Sequence, residues 1–545
     1  MIQEIQLSNF KAFADTVTIP IKPITLIFGP NSSGKSSFFQ SLLMLKQTIE
    51  ESISDEQTLL PKGSLVDLGN YREFIHNHDE SRSFSVTFKI APPIDLYDAI
   101  PAEQHVLDNG ESEGINGLKQ SIKSLPLGIT IDFAFNNAKG VHVTKIDLLV
   151  GDDSTPIITF VNESPESMES LRGDADKEVK NEREKQWHIY QRSPKNYLKF
   201  KKIENHDYWA IYDGTVRSDE LAIEALKTIG SKELSFFDDK KLKESIIALK
   251  DSPAPLSKEE EYKDDFLILS KFLPVELNDY NPQYLLNDRY DFAEHDNISV
   301  LILAVSFLIK RFLSSCVHVG PVRQNPERNF FFGGIISPYV GANGKYTNEI
   351  LVTNPELVEK VNKQLSSLNL GYQIQIVTLA HDSSDLKVST IRLISDSGID
   401  HAITDVGYGI SQVLPVILQC MMSSGETILI EQPELHLHPA QQAELGDLFI
   451  NAALGEQKNT IIIETHSEHL LLRIMRRMRE TCDNRQPTEI PKIHPKDVMI
   501  LFVEPIVTAD GTQKSIVREM PLNERGELVK AWPGGFFEEG LKEIF

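Results

Sequence analysis

The sequence predicts an α/β fold in which a nucleotide-binding head is assembled from N- and C-terminal segments. The interval between them carries an antiparallel β subdomain and a helical insert. Three observations predict this. Gly29-Pro30-Asn31-Ser32-Ser33-Gly34-Lys35-Ser36 fits the phosphate-loop pattern G-x-x-x-x-G-K-[ST], with an apolar strand before it and a helix after it. Far along the chain, Thr427 to Glu434 and Thr460 to Ser467 read as apolar strands, the first ending in acid and the second in histidine. Between and around these, strands alternate with helices, which implies parallel strands under helical cover.

Taken in order, Ile2, Ile5 and Leu7 begin one strand, Val17 to Ile21 forms a second, and Ile24 to Phe28 is a short buried strand that delivers the phosphate loop. A helix runs from Ser36 to about Glu50, where Phe38, Leu42, Leu45 and Ile49 recur at helical spacing. Pro61, Gly63 and Gly69 break residues 51–78 into loop and short elements. Phe84 to Ala91, Gly128 to Phe135, Val141 to Val150 and Ile157 to Val161 read as a mostly antiparallel sheet. From residue 162 the chain becomes charged. Trp187, Tyr190, Tyr197 and Phe200 interleave with Lys195, Lys199, Lys201 and Lys202, a pattern open to two readings: a surface for single-stranded nucleic acid or a solvated hairpin or loop. Leu221 to Ile229, Leu242 to Leu249 and Asn297 to Ser314 read as helices. The C-terminal part reads as strands at His318, Ile374 to Leu379 and Val388 to Leu393. Then come a helix from Gly409 to Met421, a strand 427–431, a helix from Ala440 to Leu454, a strand 460–463, a helix 468–480 and a strand 498–503. The expected divisions are therefore 1–80 (N-terminal part of the head), 81–165 (β-rich lobe), 166–314 (charged and helical insert), 315–480 (C-terminal part of the head) and 481–545 (terminal strand and tail). No long heptad run occurs, so no coiled-coil arm is expected.

Bulk properties narrow the function classes. A chain of 545 residues is long enough for several domains. The net charge of −24 argues against a uniformly nucleic-acid-binding surface; it leaves room for a local basic groove, equally permits a basic protein partner, and is also what plain solubility gives. No apolar run reaches the roughly 18 residues of a membrane helix. Three widely spaced cysteines suggest neither a disulfide framework nor a thiolate metal site. The expected location is the cytoplasm.

The candidate site residues follow from the chemistry of triphosphates. Backbone amides of Asn31, Ser32, Ser33, Gly34 and Ser37 would cradle phosphate. Lys35 would meet the terminal phosphates, and Ser36 would offer its hydroxyl to Mg²⁺. Glu431 is placed to hold Mg²⁺ as a strand-end carboxylate. Glu434 is near enough in sequence to share the site. For both acids, a plain helix-start role remains open. His466, at the end of a buried strand, is placed to meet a terminal phosphate or attacking water, with a core or capping role as its alternative. Ser467 is a candidate cap for the following helix. His436, His438 and His469 match no complete metal-ligand spacing and read as helix-start and surface residues. Gly407, Gly409 and Ser411 open a helix, either as an anion-binding device or as an ordinary glycine-rich helix start.

The segments IQLSNFKAF, GPNSSGKSS, VGPVRQNPER, IEQPELHLHP, ETHSEHLLLRI and AWPGGFFEEGLKEIF together resemble the ABC, chromosome-maintenance, RecF and overcoming-lysogenization-defect group of ATPases. The likeness is strongest to Septu-type defence ATPases (PtuA), including retron-associated ones. It covers residues 1–75 and 315–545 well and the middle poorly. It implies an ABC-type head that sandwiches ATP and Mg²⁺ between two copies, in a homo-dimer or higher oligomer. Gln47 would be a metal- or water-sensing glutamine. Gly407 to Gln412 would be a signature segment for the partner's phosphate. Glu431 would be the Mg²⁺ acid, and His466 the switch histidine. Gln432 falls where many relatives have the glutamate that polarises water. An amide is a poor proton acceptor, so slow turnover or participation of Glu434 is expected. No nuclease motif is visible. The resemblance implies a separate HNH-type nuclease partner and, in the retron form, a reverse transcriptase with its DNA–RNA product. The competing readings are a DNA-repair or chromosome-associated ATPase that binds nucleic acid directly, and a scaffold with an inactive nucleotide site.

Overall fold

The computed structural model describes residues 2–51, 58–91, 126–137, 140–150, 156–162, 187–192, 197–202, 209–211, 305, 308–331, 337–379, 388–509 and 511–537. The helices expected at Leu221 to Ile229 and Leu242 to Leu249 and most of the helix expected at Asn297 to Ser314 lie outside the described residues. Two compact units emerge. One comprises Met1–Thr18 with Ser41–Leu313, and the other Ile19–Gln40 with Ser314–Phe545. This division does not follow the expected boundaries at 80 and 480. Only the short stretch around the phosphate loop joins the C-terminal half, and the C-terminal tail belongs to that half as well.

The first unit is built on a nine-stranded sheet in the order β10-β9-β8-β7-β6-β5-β4-β1-β2. Its strands are β1 (Ile2–Ser8), β2 (Val17–Pro20), β4 (Phe84–Ile90), β5 (Leu127–Asn136), β6 (Gly140–Val150), β7 (Pro156–Asn162), β8 (Trp187–Arg192), β9 (Tyr197–Lys202) and β10 (Trp209–Ile211). From β10 through to β1 every neighbouring pair is antiparallel. Within the charged stretch, β8 and β9 therefore pair antiparallel, with Tyr190 opposite Lys199. Phe10, Phe74, Phe84 and Phe133 form the buried aromatic core next to β4.

The second unit holds a six-stranded sheet in the order β11-β16-β17-β3-β18-β19. Here β3 is Ile24–Phe28, β11 Cys316–Val319, β16 Thr427–Glu431, β17 Thr460–Glu464, β18 Val498–Val507 and β19 Gln513–Glu519. The first five are mutually parallel and β19 is antiparallel. Strands β3, β16 and β17 are buried throughout, as helical cover on both faces requires. A smaller antiparallel sheet joins β12 (Phe330–Phe331), β14 (Val388–Ser395), β13 (Tyr372–Leu379) and β15 (Asp400–Ala402). Helix α1 (Lys35–Glu51) leaves the phosphate loop, and a single turn, α2 (Tyr71–Phe74), follows in the first unit. The C-terminal helices are α3 (Thr347–Thr353), α4 (Pro355–Ser367), α5 (Tyr408–Met422), α6 (Pro439–Leu454) and α7 (Glu468–Cys482). One continuous core of Ile, Leu, Val and Phe joins the sheet to α5, α6 and α7.

Two features differ from expectation. Strand β18 continues past residue 503 through Pro505. This is tolerated because β3 pairs with it only as far as Phe502, so the missing N–H faces no partner strand. Glu504 consequently lies inside a strand, paired with Arg518 at 2.5 Å, rather than after it. The aromatic residues Trp532, Phe536 and Phe537 fold back onto Phe28 and Phe502, the ends of β3 and the central part of β18. Among the described residues, no helix is long and apolar enough to cross a membrane.

Candidate nucleotide site

Parallel strands place all their C-terminal ends at one edge of the sheet, and three of those ends build the site. Strand β3 delivers the phosphate loop. Gly29 takes φ +147° because a Cβ there would lie 2.4 Å from the carbonyl oxygen of Val503, and Ser32 and Gly34 turn the loop with positive φ. The loop closes on itself through Ser33 N–H to Pro30 O and Ser37 N–H to Gly34 O. Asn31 and Ser32 are exposed at its tip. Lys35 is buried, and its Nζ donates to the carbonyls of Gly29 at 3.0 Å and Pro30 at 2.8 Å. Burial pulls its pKa down, against the opposing pull of Glu464 and then Glu434.

Strand β17 lies between β3 and β16, and its terminal carboxylate was not assigned from sequence. Ser36 Oγ donates to Glu464 Oε2 at 2.7 Å, and Lys35 Nζ lies 3.9 Å from Glu464 Oε1. Burial pushes the Glu464 pKa up, with the Ser36 hydrogen bond opposing it. Glu431 is in register with Glu464 on β16. It is one strand further from the phosphate loop, and its Oε1 lies 2.7 Å from His318 Nε2 at the end of β11. With the carboxylate as acceptor, the proton sits on Nε2 and Nδ1 is left without a protein partner.

After Glu431 the backbone turns sharply. Gln432 adopts φ +45°, unusual for a residue with a side chain, and its N–H donates to Glu464 O at 2.8 Å. Glu434 then folds back so that Oε1 accepts the His466 N–H at 2.7 Å, while Oε2 is buried with the Thr465 hydroxyl close by but no well-formed hydrogen bond. Desolvation pushes the Glu434 pKa up. His466 is half-buried, its Nε2 is unpartnered, and desolvation followed by the Lys35 charge pushes its pKa down. Arg323, also unassigned from sequence, is buried beneath this turn. It donates to Glu431 O at 2.8 Å and Gln432 O at 3.5 Å, and burial lowers its pKa to about 10. It therefore stays charged and offsets the nearby acids. Ser467 Oγ accepts the Leu470 N–H at 3.1 Å and caps α7 as expected, while His438 caps α6.

The structure thus brings Lys35, Ser36, Glu431, Gln432, Glu434 and His466 to one edge, and it adds Glu464, His318 and Arg323. Buried carboxylates demand buried cations, and the VGPVR segment was the place to look for them. Gln47 does not join. It lies roughly 18 Å further along the α1 axis than Lys35. Its amide is consumed by the loop at 60–66, donating to Leu60 O and to Val66 O at 3.1 Å and accepting from the N–H groups of Leu65 and Val66. In this structure the Gln47 amide locks that loop. Ser411 also differs. Its hydroxyl donates to Tyr408 O at 2.9 Å and is largely buried, whereas Gly407 and Tyr408 are exposed at the start of α5.

The set fits ATP with Mg²⁺. Ser33 Oγ, Glu434 Oε2 and His466 Nε2 are buried polar atoms around the loop without a well-formed protein hydrogen bond, and such atoms call for a ligand or water. The described residues contain no ready-made cage of three metal ligands. Mg²⁺ would use one or two carboxylates and complete its shell with phosphate and water.

Fold and site together define an α/β phosphate-loop ATPase with a split, ABC-like head. The chain belongs to the AAA ATPase domain family, which matches residues 1–301 and 336–471, and it is accordingly an ATP-hydrolysing enzyme. Residues 493–545 match a family described as a protein of unknown function, DUF3696. Similar solved structures include an SMC head bound to the C-terminal winged-helix domain of ScpA, at 11% identity, TM-score 0.33, 95% of this chain and 98% of that one. Another is the Smc head with an extended coiled coil bound to the C-terminal domain of ScpA from Pyrococcus furiosus, at 11% identity, TM-score 0.32, 100% of this chain and 98% of that one. A third is the SMC head domain from Thermotoga maritima, at 9% identity, TM-score 0.32, 96% of this chain and 99% of that one. No curated protein matches the chain.

Proposed function

We propose that the chain is a Mg²⁺-dependent ATPase that works as a nucleotide-driven switch in a larger complex. The observation that carries this reading is the convergence of Lys35, Ser36, Glu464, Glu434 and His466 on one sheet edge, with buried polar atoms left unpartnered. In this mechanism Lys35 exchanges its loop carbonyls for the terminal phosphate oxygens. When bound, Mg²⁺ supplies charge neutralisation on the phosphates, held by Ser36 and strand-end carboxylate. Glu434, rather than the amide of Gln432, accepts a proton from water as the new oxygen–phosphorus bond forms. The bond to the bridging oxygen breaks, and ADP and phosphate leave. His466 Nε2 holds the terminal phosphate. Arg323 and His318 keep the acidic turn in place. A filter-based ATPase assay is expected to show Mg²⁺-dependent turnover that Lys35→Ala abolishes, and equal turnover in that variant would overturn the site.

The resemblance carried by GPNSSGKSS, IEQPELHLHP and ETHSEHLLLRI supports placing this switch in bacterial antiphage defence of the Septu type. There, head-to-head dimers restrain a separate HNH-type nuclease, joined in the retron form by a reverse transcriptase with its DNA–RNA product. The exposed start of α5 at Gly407 and Tyr408 is the surface offered to a second copy. Infection assays on cells carrying the chain with its neighbouring genes are expected to show protection that Lys35→Ala removes. A second reading, a DNA-repair or chromosome-associated ATPase that binds nucleic acid directly, is favoured by the β8–β9 strand pair, whose sequence interleaves aromatic residues with lysines. Tight duplex or single-strand binding by the isolated chain, falling steeply with salt, would select it.

A further inference from the structure

We propose that Trp532 and the turn it opens position the phosphate loop, so that the segment Trp532–Phe537 and the nucleotide site act on each other. This rests on the reading of the loop as a nucleotide site. The loop begins where β3 ends, at Phe28 and Gly29. Phe28 is fully buried. Its ring meets Trp532 edge-on at 5.4 Å and Phe537 at 5.7 Å between centroids. On the neighbouring strand β18, Phe502 is in register with Phe28, and its ring meets Trp532 at 5.8 Å and Phe536 at 5.1 Å. Trp532 thus bridges the two strands just where the loop departs.

The backbone around Phe28 has little room to shift. On one side a Cβ at Gly29 would come 2.4 Å from the carbonyl oxygen of Val503. On the other, Thr465 N–H donates to Ile27 O at 3.1 Å. Lys35 Nζ donates to the carbonyls of Gly29 and Pro30, so a displacement of Phe28 passes directly to the groups that hold the phosphate-binding lysine. Truncating Trp532 opens a cavity against Phe28 and Phe502, and neighbours relax into such a cavity only by moving. The docked segment itself is lightly held. Trp532, Phe536 and Phe537 are half-buried. Among the described residues its backbone hydrogen bonding is local, Gly535 N–H to Trp532 O at 3.2 Å, so ring packing keeps it in place. Its reversal uses two successive left-handed residues, Gly534 at φ +63° and Gly535 at φ +70°, a conformation that side chains disfavour. A Cβ at Gly534 would touch nothing within 4 Å, so Gly534→Ala loosens the turn without removing a contact.

The test uses the full chain and a non-hydrolysable ATP analogue with Mg²⁺. Trp532→Ala is expected to weaken analogue binding, measured by calorimetry, about tenfold. It should raise KM for ATP while changing kcat less, because Glu434 and His466 follow other strands, β16 and β17. Trp532→Phe is expected to recover most of the loss. Leu365→Ala, at a buried position of α4 in the same core, is the control: it should lower the melting temperature and leave analogue affinity within about twofold. Coupling is reciprocal, so hydrogen exchange at 532–537 is expected to slow when the analogue binds and to quicken in Gly534→Ala. Affinity within about twofold of the unsubstituted chain in a folded Trp532→Ala protein, an equal loss in Leu365→Ala, or exchange at 532–537 indifferent to the analogue would overturn the proposal. Should Trp532→Ala fail to fold, affinity and exchange in Gly534→Ala decide in the same way. Failure of the unsubstituted chain to bind the analogue at all would instead sink the underlying nucleotide-site reading.

Discussion

At the scale of single residues, the account turns on what replaces the missing glutamate at Gln432. Glu434 is buried, has one oxygen without a well-formed hydrogen bond, and is fixed by the His466 amide. Glu434→Gln should lower kcat by about a hundredfold while ATP binding persists, which steady-state kinetics and filter binding separate. Its pKa is raised above the 4.5 of an ordinary glutamate by desolvation. A base must be deprotonated, so activity is lost as pH falls through this raised value, and the acid limb of kcat/KM sits above the usual carboxylate range. The stability linkage has the opposite sense. Holding this group ionised in the fold is unfavourable, so its contribution to stability is complete below the unfolded pKa and is lost as pH rises through the folded one. Lys35, Ser36, Glu431 and His466 were legible because strand-end chemistry follows strongly apolar runs. Glu464 was passed over because a carboxylate before Thr465-His466 fits no short motif, and its role emerges only when β17 is set beside β3. The engagement of Gln47 by the loop at 60–66 is not legible in the sequence, which gives no view of the groups that its amide satisfies.

At the scale of elements, α6 and α7 are joined by an unusual charge cluster. Arg473 donates to both oxygens of Glu444 and to Asp447, and Arg477 donates to both oxygens of Asp447 and to Glu480. Asp447 and Arg477 are each only 8% exposed. Removing the shared carboxylate takes one partner from each guanidinium and leaves Arg473 on Glu444 and Arg477 on Glu480, so Asp447→Ala should cost about 1.5–3 kcal/mol in a denaturant melt. These pairings also commit Arg473 and Arg477 internally, leaving them poorly placed to serve a nucleic-acid surface. The lock at Gln47 gives a complementary expectation. Gln47→Leu should lower thermal stability, since each buried group left unsatisfied costs about 1–3 kcal/mol, with nucleotide affinity little changed. A tenfold loss of affinity in a folded Gln47→Leu protein would restore its metal role. Fully buried strands such as β3, β16 and β17 were readable as apolar runs. Edge strand β19 was not, because Gln513–Glu519 buries only Ser515 and so shows no clear alternation. Helix α4 was missed for a related reason: only Val361 and Leu365 are buried along it, although Pro355 marks its first turn.

At the scale of the whole molecule, the chain reads as two units whose boundaries cut across the sequence order. The phosphate loop is inserted into the C-terminal unit by a stretch ending at Gln40, a division that boundaries drawn linearly along the sequence do not express. The segment matching DUF3696 supplies β18, β19 and the aromatic strap on Phe28, so it is part of the same sheet as the phosphate loop. Cysteine reactivity offers a global check of this packing. Cys316 and Cys420 are buried, with the Cys420 thiol pushed up to about 12, and Cys482 is exposed. One thiol per chain should react rapidly with a thiol reagent under native conditions and three after denaturation. The central claim, that distant segments enclose one triphosphate, is tested most directly by a crystal structure with a non-hydrolysable ATP analogue and Mn²⁺, using anomalous scattering to locate the ion. The account predicts terminal phosphates on Lys35, the ion between Ser36 and a strand-end carboxylate, and Glu434 and His466 facing the terminal phosphate. Nucleotide bound elsewhere, or an ion distant from Ser36, would contradict it.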